Sequence, residues 1–168
     1  MKEELKIEIT STFGQLYQTL SLFTQGEINA IPYEGSWTSG QVARHIIKST
    51  SGLKQVCDNN TKKLASNPEE KVPALKQIFL DFSTKMNSPE FIYPELKDYD
   101  KQMLLSSVQK IEKELVYIAD NYDLGLTCMD FEMPGFGNLT IYELVSFAVI
   151  HTKRHIYQLT NIYKALRN

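Results

Sequence analysis

At 168 residues the chain is long enough to bury a proper core and is read as one domain, residues 1–168. Its composition, 42% hydrophobic and 23% charged, is that of an ordinary globular protein. The net charge of −2, from 18 Lys+Arg against 20 Asp+Glu and with no basic block, argues against nucleic acid as a partner.

The amino terminus, Met1-Lys2-Glu3-Glu4-Leu5-Lys6, carries no apolar secretory segment. The longest largely apolar run, Leu144 to Ile150, is too short to span a bilayer, so no membrane partner and a cytoplasmic location are expected. A reducing compartment would leave Cys57 and Cys128, which form no CxxC pair, as thiols.

Residues 3–25 are expected to form a first helix, with Leu5, Ile9, Phe13, Leu16, Leu20 and Phe23 at three- and four-residue spacing. Gly26 and Pro32 end it. After Trp37, Thr38-Ser39-Gly40-Gln41 fits a capping box and opens a second helix to about Asn59. Val42, Ile46, Leu53 and Val56 face inward there, with His45 and Ser49 at the edge of the stripe.

Residues 60–97 are a long connection punctuated by Pro68, Pro73, Pro89 and Pro94. A short helical piece over 74–86 carries Leu75, Phe79, Phe82 and Met86. A connection of this length can cross a bundle, so that the second and third helices run parallel. The third helix, 98–121, shows Leu104, Val108, Ile111, Leu115 and Ile118. A broken segment holding Cys128, Phe131, Pro134, Gly135 and Phe136 follows. Thr140-Ile141-Tyr142-Glu143, a second capping box, opens a fourth helix that runs almost to the end. No β-type alternation of useful length is read anywhere, so the fold class is all-α, a bundle of four main helices.

All three histidines fall in helical stretches. On the fourth helix the inward positions read Ile141, Leu144, Ala148, His151, His155, Leu159, Ile162 and Leu166. His151 and His155 stand one above the other, because residues four apart share a face. They rise only ~6 Å along the axis, so both rings can reach one point. His45 can supply a third ligand from a neighbouring helix. Three neutral imidazoles suit Zn²⁺ or another divalent transition metal and leave a position for water or substrate. The competing reading of each ring is a hydrogen-bonded core histidine. The zincin pattern H-E-x-x-H is absent, since Thr152 follows His151. Cys57 is a poor fourth ligand, lying ~18 Å along its helix from His45. Cys128 stays open as a ligand, with a small buried residue as its plainer reading.

The stretch Trp37-Thr38-Ser39-Gly40-Gln41-Val42-Ala43-Arg44-His45-Ile46 resembles the W-[ST]-x-x-Q-x-x-x-H-[LI] signature of the DinB/YfiT-like superfamily. His151-Thr152-Lys153-Arg154-His155-Ile156-Tyr157-Gln158 is similar to its late H-x-x-R-H-x-x-Q motif. The resemblance covers essentially the whole chain, and the family's metal ligands map onto His45, His151 and His155. It implies an up-down-down-up four-helix bundle with a long crossover between the second and third helices, a site for Zn²⁺ or Ni²⁺, and a homodimer. With the second and fourth helices antiparallel, the fourth must overhang the mouth of the site. Characterised members include transferases and isomerases that use low-molecular-weight thiols such as bacillithiol or mycothiol.

The leading expectation is therefore a metal-dependent transferase that activates a small thiol toward a small-molecule electrophile. Trp37 and Gln41 are candidate substrate-pocket residues, with packing and capping as their plainer roles. A metal-assisted hydrolase, with Glu132 or Glu143 as base, is an alternative; capping suits Glu143 better. A non-catalytic small-molecule-binding bundle with a structural metal is another. Arg154 is expected to point partly away from the ligand face and to serve as an ion-pair partner.

Overall fold

The computed structural model describes residues 1–168, and the chain is mostly helical with one small sheet. Helix α1 spans Lys2–Ser21 and is followed by a short α2, Gln25–Ile28. The first predicted helix thus stops early. Thr24 and Glu27 form a capping box that restarts the chain in a new direction, a T-x-x-E pattern plain in the sequence. Its apolar stripe is buried as expected, from Leu5 to Phe23.

The second predicted helix is two pieces, α3 (Ser39–Thr50) and α4 (Leu53–Asp58). Ser51 is extended and Gly52 takes φ 96°, a left-handed conformation that favours glycine and breaks the axis between them. Thr38 and Gln41 make the predicted capping box at the start of α3. In the connection, β1 (Thr61–Lys62) and α5 (Val72–Phe79) form. The helical piece expected over 74–86 therefore begins at Val72 and ends at Phe79. Leu75 is buried, whereas Phe82 and Met86 lie beyond the helix and exposed.

Helix α6 spans Lys101–Asn121 and is capped by Asp100, whose carboxylate accepts the Met103 N–H. The broken segment expected after it is a hairpin, β2 (Thr127–Met133) and β3 (Gly137–Thr140). With β1 on its other edge, β2 is the centre of an antiparallel three-stranded sheet. This corrects the all-α expectation. The signal was the alternation Met129-Asp130-Phe131-Glu132-Met133 followed by Pro134-Gly135, where Gly135 and Gly137 take φ 82° and 68°. Thr140 ends β3 and also caps α7 (Ile141–Ala165), so the hairpin delivers the chain directly into the longest helix.

The helices pair around one continuous core. Lys2 and Lys6 at the start of α1 reach the end of α6 through the Asp120 and Tyr122 carbonyls and the Asp120 carboxylate, so these helices are antiparallel. Glu8 meets Lys153, and Phe23 packs edge-on against Tyr163, so α1 and α7 run in the same direction. Helix α3 packs on both α6 and α7. No helix is long and apolar enough to cross a membrane.

Candidate metal centre

Helix α3 contributes His45 and helix α7 contributes His151 and His155, all from the buried faces on which the two helices meet. The three residues keep only 2%, 6% and 9% of their surface exposed, so their electrostatics are those of an interior site. His45 Nε2 lies 3.1 Å from His151 Nε2, and His155 Nε2 lies 3.0 Å from the same atom. The three ligand atoms all fall within 4.8 Å of one another. Two imidazole nitrogens on one tetrahedral ion with bonds of 2.0–2.1 Å sit ~3.3 Å apart, close to the spacing found here.

The opposite nitrogens show how the protons are placed. His45 Nδ1–H donates to the Ile92 carbonyl at 3.0 Å, a group that can only accept. His155 Nδ1–H donates to Gln158 Oε1 at 2.8 Å. Ser49 spends its own proton on the Ile46 carbonyl, so its oxygen accepts from His151 Nδ1–H at 3.2 Å. With each Nδ1 carrying the proton of a neutral ring, the three Nε2 atoms face one another as lone pairs. Lone pairs at 3 Å repel unless a cation lies among them. This donor set fits a divalent transition metal, with each ligand oriented by an outer partner.

Burial holds the imidazoles in that neutral form. It lowers the pKa of His45, and lowers His151 well below the ordinary value, where the neighbouring His155 and His45 add to the effect. His155 is lowered to about 3 by burial first and His45 second.

Trp37 lies beside the cluster, half-buried, its ring centroid 5.2 Å from that of His45 and 5.2 Å from that of Tyr93. Gln41 sits one turn before His45, with its Oε1 accepting the Thr38 N–H at 2.9 Å as a cap. Phe79 and Phe147 pack against His151. The cluster comprises three histidines and no carboxylate or thiol. Cys57 and Cys128 are buried against each other, and their shared hydrogen bond, followed by burial, pushes the Cys57 thiol up. Glu132 is exposed on β2. Glu143 is buried and spent on the backbone N–H groups of Lys71 and Thr140.

Arg154 is not an ion-pair partner. Its guanidinium donates to the Phe79 carbonyl at 3.2 Å, the Asp81 carbonyl at 2.9 Å and the Thr84 carbonyl. Ser49, Ile92 and Gln158 are the partners that ligand spacing alone did not identify. Gln158 was within reach, since a residue three beyond His155 shares its helix face. The Ile92 carbonyl carries no side-chain signature.

No curated protein and no solved structure matches the chain. A family model described as the DinB superfamily matches residues 8–159, a span that takes in all three histidines, the whole of α3 and all but the last six residues of α7. The protein belongs to the DinB superfamily.

Proposed function

We propose that the protein is a metal-dependent enzyme, a transferase that activates a low-molecular-weight thiol at His45, His151 and His155. The observation that carries this reading is the convergence of three Nε2 lone pairs whose rings are each fixed by a hydrogen bond at Nδ1. His45, His151 and His155 would hold a divalent ion such as Zn²⁺ or Ni²⁺, which when bound would supply the Lewis acidity that lowers the pKa of a thiol such as bacillithiol and so makes it a nucleophile toward an electrophile.

The chain's own residues do the rest. Three protein ligands, rather than the four of a closed structural zinc site, leave a position for a small molecule. Ser49, Ile92 and Gln158 keep the rings aimed and neutral. Phe79 and Phe147 keep water from the His151 side, while Trp37 offers an aromatic wall and Gln41 the polar edge of the substrate pocket. No carboxylate joins the cluster as a general base, so the hydrolase reading has less support than the transferase.

The helix pairings support an up-down-down-up arrangement of α1, α3, α6 and α7 within one domain, with residues 60–97 as the crossover. Six helical residues precede His45 in α3 and ten follow His155 in α7, so α7 overhangs the site. A homodimer working on a small-molecule substrate in the cytoplasm completes the proposal.

The test is metal content. Protein purified without added metal should hold about one divalent ion per chain, and His151→Ala should lose it. Bacillithiol and model electrophiles should then be consumed in a chelator-sensitive way. Wild-type protein that takes up no zinc or nickel would sink the proposal.

A further inference from the structure

Arg154 follows the cluster in sequence yet turns away from it. Its planar fork grips three backbone carbonyls of one turn, Phe79, Asp81 and Thr84. The Asp81 carboxylate shapes the same turn, accepting from Ser83 N–H at 3.0 Å and from the Thr84 hydroxyl at 2.8 Å. Phe82 lies flat on Tyr157, three residues beyond Arg154 on α7, with ring centroids 4.4 Å apart and planes 6° from parallel.

The chain then crosses to the other ligand helix. Ile92 accepts from His45, the Tyr93 carbonyl accepts from Lys48 Nζ at 2.8 Å, and the Tyr93 hydroxyl accepts from Trp37 Nε1 at 3.3 Å. Residues 79–93 thus form a strap tied to α7 at one end and to α3 at the other. Between the ties, residues 81–91 bury no side chain in the core. A segment held by a few polar ties and one stack opens at lower cost than the helices beneath it.

We infer that this strap controls access to the histidine cluster and that Arg154 is the positioning residue that latches it. Ser88 Oγ and the Ile92 carbonyl, both in the strap, lie 3.4 and 3.0 Å from His45 Nδ1, and the three histidines are almost fully covered, so a small molecule of the size of a thiol cofactor reaches them only when the strap lifts. Release at the α7 end breaks three hydrogen bonds and one aromatic contact and leaves the bundle intact. The inference rests on the proposed site for its purpose, but access is a property of the metal-free chain and is tested there.

The probe is diethylpyrocarbonate, which modifies neutral imidazole, applied to the metal-free full-length protein, with His151 and His155 followed by mass spectrometry. Arg154→Gln should raise their modification rate at least tenfold. Arg154→Lys, which keeps the charge but loses the fork, should raise it less. Phe82→Ala, which removes the stack without touching α7, should act in the same direction and decides the matter if Arg154→Gln does not fold. Hydrogen exchange should quicken over residues 83–91 and stay unchanged in α1 and α6. The core variant Ile111→Val should leave the rate unaltered. Modification at the wild-type rate in folded Arg154→Gln and Phe82→Ala, or an equal rise in Ile111→Val, overturns the inference. Zinc-binding failure alongside the expected Arg154→Gln acceleration would remove the metal reading and leave the latch standing.

Discussion

Ser49 stands one turn beyond His45 on α3, and its oxygen receives the Nδ1 proton of His151 at 3.2 Å from across the helix interface. The same hydroxyl is turned into an acceptor by donating to the Ile46 carbonyl at 2.8 Å. One serine therefore sets both the tautomer and the aim of an imidazole on another helix. Ser49→Ala should weaken zinc binding about 10–100-fold, the usual effect of losing an outer partner of a ligating histidine. Ser49→Thr, which keeps the hydroxyl, should restore most of it. A competition titration against a zinc indicator reads both, and full affinity in Ser49→Ala would show that Ser49 does not orient His151.

Acid should destabilise the metal-free protein well before the carboxylates protonate. An unfolded imidazole takes a proton near pH 6.5, whereas the buried His155 resists until about 3. The unfolded chain thus binds more protons as pH falls through that window, so stability is greatest above pH 6.5 and declines below it. His155 alone gives a limiting slope of ~1.4 kcal/mol per pH unit, and His45 and His151, lowered in the same direction, steepen it. Urea midpoints in chelator at pH 7.5 and pH 5 measure the effect. Zinc at a hundredfold excess over its Kd should add ~2.7 kcal/mol at pH 7.5. A metal-free midpoint that holds steady or rises between pH 7.5 and pH 5 would contradict the buried neutral triad.

Gly40 lies where α3 starts against α2 and Tyr99. A Cβ there would stand 2.9 Å from the Ile28 carbonyl oxygen, 3.0 Å from Ile28 Cγ2 and 3.1 Å from Tyr99 Cδ2. Two of these contacts belong to a fully buried residue and its backbone, which cannot give way easily. Gly40→Ala should therefore cost ~1–3 kcal/mol, read as a lower urea midpoint with unchanged slope. It should also weaken metal binding, because the displaced helix carries His45. Gly14→Ala, where a Cβ meets nothing within 4 Å, is the control and should be neutral or mildly stabilising.

The histidine site was legible because its signal is local. Each histidine sits on a helical stripe whose other members, such as Ile46, Leu144 and Leu159, are buried as periodicity requires. The capping boxes at Thr38 and Thr140 were equally plain, being patterns of four residues. The hairpin was missed because the alternation from Met129 to Met133 is short and Cys128, apolar beside Met129, breaks it where the register shifts. Asn138 stabilises that irregularity by donating to the carbonyls of Cys128, Met129 and Phe131. The roles of Ile92 and Arg154 were illegible for another reason. Both work through backbone carbonyls, which every residue has, and only the folded path of residues 79–93 places those groups.

Glu143 tests whether a buried carboxylate near the ligand helix is structural or catalytic. Its Oε1 accepts the Lys71 N–H at 2.8 Å and its Oε2 the Thr140 N–H at 3.0 Å, while its own N–H donates to Thr140 Oγ1. The Thr140 hydroxyl donates in turn to the Pro68 carbonyl, so this residue pair ties the crossover to the start of α7. Glu143→Ala leaves two backbone donors without partners and should cost roughly 2–5 kcal/mol. Glu143→Gln keeps one carbonyl oxygen for one of them and should cost less. Eight residues, ~12 Å along the helix, separate Glu143 from His151, so zinc stoichiometry should survive in both folded variants. On the proposed transferase reading, thiol consumption per bound metal should also persist in Glu143→Gln. Abolition of turnover in a Glu143→Gln protein of wild-type stability and metal content would instead make this carboxylate a base and put the hydrolase reading ahead of the transferase.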